Sequence, residues 1–398
     1  MGKILSAKSG LIMTGSLLIG SYAWASDTAE NADVEALVND TIAPLMAEHR
    51  IPGMAVAVSI GGQQHYFNYG EADQEAGIPV TDETLFELGS ISKIFTAALT
   101  GYAQSSGALS LSDPASQYLP ALEGSVFDEI TLLELGTYTA GELPLQFPDA
   151  VQSEAQMLDY YHQWQPESAP GSQRLYSNPS IGLMGYLTAQ RLGKPFETLM
   201  EEAVFAPLGL EHSYYQVPEA QQAHYAYGYS KEDKPIRVNP GMLDAQAYGL
   251  KSTAADVLTF VEAHMSGAGL ETKDASTPDE TLSQALAATR TGYFEFGDMT
   301  QGLGWESYAY PVALEQLLAG NSLEMILQPN PANRLTPPLA PRQQALYNKT
   351  GATNGFGGYV AFVPSEQIGI VLLANRNYPT PARIEAAHHI LSALTEAP

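Results

Sequence analysis

The feature that most constrains the fold is a pair of adjacent extended segments near each end of the chain. Near the N-terminus, Met54–Ile60 and Gln63–Tyr69 are separated by Gly61-Gly62, which is typical of a hairpin turn. Near the C-terminus, Gly358–Val363 and Ile368–Ala374 form a second pair, rich in Val and Ile. Because strands and helices do not alternate regularly, we predict one antiparallel sheet built from both chain ends, within an α+β fold.

Helical patterns flank and separate these strand pairs. Apolar residues recur at helical spacing in residues 34–50, and helices are also expected at Ile181–Leu192 and Pro381–Leu394. The Asn178-Pro179 pair predicts an N-cap followed by proline at the first helical position. The segment Ser266–Asp279, rich in small and polar residues, is expected to be an exposed connection.

These patterns predict two domains. Residues 26–105 and 250–398 would form a discontinuous α/β domain in which helices flank the sheet. Residues 106–249, mostly helical or loop-like, would form an inserted all-α domain.

The first 25 residues have the pattern of an export signal. Lys3 and Lys8 precede the mostly apolar stretch Gly10–Ala25, and Ala23-Trp24-Ala25 fits a small-x-small cleavage site. The alternative is an uncleaved anchor, but the apolar run is shorter than the ~20 residues of a spanning helix. We expect cleavage after Ala25 and a periplasmic mature protein that does not bind the membrane.

Composition excludes several classes of function. Cysteine is absent, so disulfides, cysteine nucleophiles and thiolate metal sites are excluded. The formal charge of −26 disfavours binding to nucleic acid or anionic lipid. Such a surface is either simply soluble or adapted to high salt, where screening removes the repulsion between carboxylates.

The first motif that carries chemistry is Ser90-Ile-Ser-Lys93. Helical spacing places Ser90 and Lys93 on one face, one turn apart. Serine needs a base to act as a nucleophile, and a lysine in an apolar setting has a lowered pKa and can accept a proton. The motif alone favours the alternative, a capping serine with an unrelated lysine, because S-x-x-K arises by chance in many chains of this length.

The second motif is Tyr176-Ser-Asn178, just before the predicted helix Ile181–Leu192. A tyrosine between two ammonium groups has a lowered pKa and can relay a serine proton. An ordinary half-buried tyrosine is the alternative, since the chain has 22 tyrosines.

The third motif is Lys349-Thr-Gly351, in a predicted strand followed by a glycine-rich turn and a second strand. On an edge strand, Lys349 and Thr350 could donate hydrogen bonds to a substrate carboxylate, and Gly351 would let a ligand lie close to the backbone. The N–H of Ala352 could then be an oxyanion donor, paired with that of Ser90. A simple hairpin carrying a lysine is the alternative.

Other chemistry lacks its motifs. The histidines show no metal-ligand spacing, there is no G-x-S-x-G sequence around Ser90, and no nucleotide-binding fingerprint stands out. We therefore expect neither a metal nor a cofactor.

Taken together and in this order, the three motifs make the chain resemble class C β-lactamases from about Val34 to Leu394. Further segments carry the likeness: Phe86-Glu-Leu-Gly89, Tyr138-Thr-Ala-Gly-Glu-Leu-Pro-Leu-Gln146, Leu243-Asp-Ala-Gln-Ala-Tyr248, Gln301-Gly-Leu-Gly-Trp305 and Ala374-Asn-Arg-Asn-Tyr-Pro-Thr-Pro-Ala-Arg383. The resemblance implies a serine enzyme that hydrolyses β-lactams and prefers cephalosporins. We expect it to be periplasmic and monomeric.

The resemblance also implies roles at matching positions. Ser90 would be acylated, Lys93 and Tyr176 would move its proton, and Lys349 would hold the charge state of Tyr176. The N–H groups of Ser90 and Ala352 would form the oxyanion hole. The implied substrate-binding residues are Gln146, Asn178, Tyr248 on an Ω-like loop, Thr350, Gly351, Thr353, Asn354 and Arg383.

Some positions depart from the family pattern, and other functions share the motifs. Asn348, Asn354 and Thr380 stand where many members have histidine, glycine and asparagine, which favours a changed substrate profile over a changed reaction. A D-alanyl-D-alanine carboxypeptidase or penicillin-binding protein is the main alternative. A related serine esterase and a membrane-tethered β-lactam sensor are further alternatives.

Overall fold

A computed structural model describes residues 1–2, 22–265 and 280–396, the side chains of 22–32 and 396 excepted. Most of the predicted leader and all of the predicted connection Ser266–Asp279 lie outside these residues. None of the described helices has the length and apolar character needed to cross a bilayer.

In the described part of the chain, the strands are paired antiparallel into one large sheet and three small ones. In chain order they are β1 (Gly53–Ile60), β2 (Gln63–Asp73), β3 (Ile78–Pro79), β4 (Phe86–Glu87), β5 (Gln173–Arg174), β6 (Ser213–Tyr214), β7 (Gly228–Tyr229), β8 (Pro235–Ile236), β9 (Lys251–Ser252), β10 (Gly292–Phe296), β11 (Met299–Gln301), β12 (Glu306–Ala309), β13 (Asn330–Pro331), β14 (Asn333–Leu339), β15 (Ala345–Ala352), β16 (Gly357–Val363) and β17 (Ile368–Ala374).

The helices follow the same order. They are α1 (Tyr22–His49), α2 (Ser92–Ser105), α3 (Leu132–Gly136), α4 (Glu154–Gln163), α5 (Asn178–Leu192), α6 (Phe196–Met200), α7 (Ala206–Leu208), α8 (Asp244–Ala247), α9 (Ala254–Met265), α10 (Glu280–Thr289), α11 (Leu314–Gly320), α12 (Leu323–Leu327) and α13 (Thr380–Glu396).

The large sheet confirms the prediction of an antiparallel sheet built from both chain ends. Its strand order is β14-β10-β11-β12-β15-β16-β17-β1-β2-β3. The first and last predicted hairpins meet where β1 pairs with β17, so that Met54 lies opposite Ala374 and Ile60 opposite Ile368. Four strands between Gly292 and Leu339 extend the sheet beyond these hairpins.

Alternating side chains on β1 explain how the sheet is covered. Met54, Val56 and Val58 pack in the apolar cluster that includes α1 and α13. Ala55 and Ala57 face the opposite cluster, which includes residues of α2 and α9. Because successive side chains of a strand point to opposite faces, one buried strand contributes to both cores.

A third apolar cluster lies in the middle of the chain. It contains Phe127, Tyr161, Leu187 and Tyr176, with Ala97 and Leu303 from the flanking segments. Most of this cluster lies within the predicted helical segment 106–249, and the division into two domains stays a prediction.

Candidate active site

The Ser90 hydroxyl is presented by a short 3-10 turn, Gly89–Ile91, that leads into α2. Lys93 follows one turn later and is fully buried. Its Nζ donates to Ser90 Oγ over 2.9 Å and to the carbonyl oxygen of Ala247 over 2.7 Å. Burial lowers the pKa of Lys93 to about 8, helped by Lys349 and opposed by Tyr176. Lys93 can therefore accept a proton from Ser90 near neutral pH.

Two glycines let this turn lie directly against β15. Gly89 has a φ of +52°, and a Cβ there would overlap the backbone of Ala352. A Cβ at Gly351 would overlap the carbonyl oxygen of Leu88 and crowd the N–H of Ile91. Backbone therefore packs on backbone between the serine turn and the strand that bears the third motif.

Tyr176 lies between two lysines in the segment just before α5. The Nζ atoms of Lys93 and Lys349 are each 5.1 Å from its ring centroid. Burial on its own raises the pKa of Tyr176, but the ammonium groups of Lys349 and Lys93 outweigh it and lower the pKa to about 8. The hydroxyl makes no hydrogen bond of good geometry with the described residues, yet the nearby Ser90 hydroxyl also favours its ionised form. Tyr176 is thus a second group that can exchange a proton with the serine.

The structure brings all the predicted site residues together. Two cavities, of about 250 and 470 Å³, share Ser90, Gln146, Asn178 and Ala352. The smaller is also lined by Tyr176, Lys349, Thr350, Gly351 and Arg383. The larger is also lined by Tyr248, Thr353 and Asn354. Lys93 lies beneath this cleft and is hydrogen-bonded to Ser90 Oγ.

Arg383 supports the strand more than it faces the cleft. It is buried, and its Nη1 donates to the carbonyl oxygen of Gly351 over 2.7 Å, while Nη2 donates to Asn377 Oδ1 over 2.7 Å. Its charge therefore lies behind the backbone of the third motif.

No group of three His, Asp or Glu side chains in the described part of the chain is arranged to hold a metal ion.

Comparison with known proteins identifies the family. The β-lactamase family model matches residues 38–395. β-Lactamases of Pseudomonas fluorescens and Escherichia coli K12 are 54% and 46% identical to this chain, over 92% and 93% of it and 99% and 96% of their own lengths. Among solved structures, a class C β-lactamase in complex with cefoxitin has a TM-score of 0.87 at 44% identity, covering 92% of this chain and 99% of that one. The chain belongs to the class C β-lactamases.

Class C β-lactamases are hydrolases that act on β-lactams, and this chain is an enzyme of that kind. A β-lactamase/D-alanine carboxypeptidase from Pseudomonas syringae is equally similar in fold, with a TM-score of 0.88 at 46% identity over 92% of this chain and 100% of that chain.

Two local predictions for this class C β-lactamase were wrong. β15 is not an edge strand, because it lies between β12 and β16. β12 pairs only with Ala345–Asn348, however, so Lys349–Ala352 pair with β16 alone and leave their other side toward the cleft. The N-cap of α5 is Ser177, whose Oγ accepts from the N–H of Ser180. Asn178 is the first helical residue, and its side chain is left to line the cleft.

The β-lactamase site also contains a buried ion pair that the sequence motifs did not reveal. Arg174 Nη2 lies 3.0 Å from Glu306 Oε1, and its Nε donates to Gln301 Oε1 over 3.0 Å. The guanidinium also lies over the rings of Tyr138 and Tyr176, at 5.3 and 5.7 Å from their centroids. Arg174 stands two residues before Tyr176, and Glu306 follows Trp305, so both adjoin segments that carried the family likeness.

A second missed residue is Glu87, three positions before the nucleophile. Its buried carboxylate accepts from the hydroxyl of Tyr225 and the N–H of Val238, both over 2.7 Å, and from Thr353 Oγ1 over 2.6 Å. Glu87 thereby ties the serine segment to two walls of the larger cavity.

Proposed function

We propose that this chain hydrolyses the β-lactam amide through an acyl-enzyme on Ser90 and prefers cephalosporins. The single observation that carries the proposal is the contact of 2.9 Å between Lys93 Nζ and Ser90 Oγ, with Tyr176 held between two ammonium groups. A nucleophile bonded to a base of lowered pKa is the arrangement that acyl transfer requires.

In the acylation step, Ser90 Oγ attacks the β-lactam carbonyl carbon and its proton passes to the Lys93–Tyr176 pair. The N–H groups of Ser90 and Ala352 stabilise the oxyanion. The C–N bond of the ring then breaks, and the same pair returns the proton to the ring nitrogen. Since the two groups interact strongly, the proton belongs to the pair and not to one residue.

Deacylation repeats the sequence with water as the nucleophile. The Lys93–Tyr176 pair takes a proton from water as the water oxygen attacks the ester carbonyl carbon. The ester C–O bond then breaks, and the pair returns the proton to Ser90 Oγ. The product is the ring-opened acid.

The remaining cleft residues would bind the two ends of the substrate. Gln146 and Asn178 would hold the amide of the acyl side chain, and Lys349 and Thr350 the substrate carboxylate. Tyr248, Gly351, Thr353 and Asn354 would shape the walls, with Arg383 fixing the carbonyl of Gly351. The preference for cephalosporins is supported by the similar enzyme solved with cefoxitin.

The test is turnover of a chromogenic cephalosporin by wild type and Ser90→Ala. We expect sustained turnover in wild type, and a correctly folded variant that has lost it. Hydrolysis by Ser90→Ala near the wild-type rate would refute the role of Ser90.

A second candidate function is a D-alanine carboxypeptidase, favoured by the solved structure that carries both names. Release of D-alanine from acyl-D-alanyl-D-alanine, with a stoichiometric burst of cephalosporin and no further turnover, would support it over the β-lactamase.

We further propose that the enzyme is periplasmic and monomeric. Mass spectrometry of the periplasmic fraction should give a mature N-terminus at Ser26. An intact leader would contradict export with cleavage.

A further inference from the structure

A large recess opens beside the serine cleft. It has a volume of about 710 Å³ and lies between the end of α1, the β7–β8 hairpin and the segment after β17. Ile236, Asn354 and Asn377 line both this lateral recess and the larger Ser90 cavity. A group attached to a substrate in the cleft can therefore extend into it.

Basic residues dominate the walls of the lateral recess. Arg50, Lys231 and Arg376 line it, together with His49, and Glu232 is the one acidic residue among its lining side chains in the described structure. The carboxylate of Glu232 accepts from Ser230 Oγ over 3.0 Å. This local excess of basic residues contrasts with the composition of the chain, which has 44 acidic and 18 basic residues.

Internal pairing accounts for only part of this charge. Asp233 forms ion pairs with Arg50, at 3.3 Å, and with Arg376, which also donates to the carbonyl oxygen of Ser230 over 2.9 Å. The Arg376 side chain is 8% exposed, and its Nε has no partner among the described residues. Lys231, in contact with solvent, forms no ion pair or hydrogen bond with any residue that the structure describes. The Asp233 carboxylate thus pairs with both guanidinium groups, and N–H donors remain in the recess for a second anion.

We propose that the lateral recess binds a carboxylate at the far end of the substrate's acyl side chain. The inference rests on the proposed function, since the side chain must belong to a substrate held at Ser90. A recess with an excess of basic residues, in an otherwise acidic protein, attracts anionic groups more strongly than open surface does. The same chemistry is found in β-lactams with a carboxylated side chain and in cell-wall peptides.

The experiment uses two cephalosporins that differ only at the end of a straight acyl chain. One carries an adipoyl group, and the other carries the terminal amide of that group. The ratio of kcat/KM for acid over amide is measured in wild type, Lys231→Gln, Arg50→Gln and the double variant. Lys194→Gln is the matched control, because Lys194 is an exposed lysine paired with Glu202 and lines neither cavity of the cleft nor the recess.

We expect the acid to be preferred by wild type. Since exposed charge pairs contribute only a few-fold to binding, the ratio should fall about threefold in each single variant and roughly tenfold in the double variant. Added salt should reduce the wild-type ratio, whereas Lys194→Gln should leave it unchanged. An unchanged ratio in the double variant, with both cephalosporins turned over, overturns the recess proposal alone.

Absence of turnover of both cephalosporins by wild type refutes the proposed function, and the recess proposal with it. The same two acyl groups on D-alanyl-D-alanine identify the source of the carboxylate. If the acid-over-amide ratio of kcat/KM falls in the double variant only for the cephalosporins, the recess binds β-lactam side chains. If it falls only for the peptides, the recess binds cell-wall peptides.

Discussion

Replacement of Lys349 by methionine tests the electrostatic origin of the reactive tyrosine. The Lys349 ammonium lies 5.1 Å from the Tyr176 ring centroid. At an effective dielectric constant of about 20, a unit charge at that distance contributes about 3 kcal/mol, which corresponds to roughly two pH units. Without this charge, the pKa of Tyr176 should rise from about 8 toward its ordinary value of 10.0.

The measurement is the pH dependence of kcat/KM. The basic forms of Tyr176 and Lys93 are the ones that accept the serine proton, and Lys349 lowers the pKa of both. The rising limb of the profile should therefore move from near pH 8 to about pH 10 in Lys349→Met if Tyr176 is the base. If Lys93 is the base, the limb should move up by less, because burial is the main cause of its lowered pKa. The position of the limb does not depend on how much weaker substrate binding becomes.

Two controls sharpen the test. Lys349→Arg keeps the charge and should keep the limb near pH 8 even if its rate is lower. The phenolate absorbance of wild type minus that of Tyr176→Phe should titrate near pH 8. Burial raises the pKa of Tyr138 and Tyr161 well above the ordinary tyrosine value, so these neighbouring tyrosines do not ionise in that range. A limb that stays near pH 8 in Lys349→Met would refute the reasoning.

Three further outcomes are expected. Gly351→Ala should lower kcat/KM by about 100-fold or more and cost roughly 1–3 kcal/mol in urea denaturation, because the added methyl group overlaps the carbonyl oxygen of Leu88; near-normal kinetics would contradict this. Burial lowers the pKa of His264 to about 3, so its contribution to stability is complete above pH 6.5 and is lost as the pH falls toward 3. The stability advantage of wild type over His264→Gln should therefore shrink by about 1.4 kcal/mol per pH unit below pH 6.5, and a constant difference would be evidence against it. If the charge of −26 reflects adaptation to salt, Tm should rise between low and molar salt, and the idea fails if it does not.

Local patterns predicted the parts of the fold that depend on near neighbours in sequence. The Gly61-Gly62 hairpin and the pair that ends in β17 are confirmed, because strand alternation and turn residues are local signals. The interior position of β15 was missed, since it depends on β12, whose register is set by tertiary packing. The cap of α5 was displaced by one residue because Ser177 and Asn178 are both good capping residues.

The motif residues of the site were predictable, and their supports were not. Ser90 and Lys93 are one helical turn apart, so their spacing predicted that they share a face, and the structure brings them into contact. Arg174 and Glu306 pair across 132 positions, and Glu87 reaches Thr353 across 266. No spacing rule reports such contacts, because the fold has to form before these residues meet.

The backbone contact between the Ser90 turn and β15 also sets the order in which the molecule can become active during synthesis. The turn rests on Gly351 and Ala352, and β15 is held in the sheet by β16, which in turn pairs with β17. At a synthesis rate of ~5–20 residues per second, the chain between Ser90 and Ala374 takes roughly 15–60 s to appear. During that interval the serine segment has no partner strand, so a nascent or C-terminally truncated chain lacks a reactive serine however complete its N-terminal hairpin is.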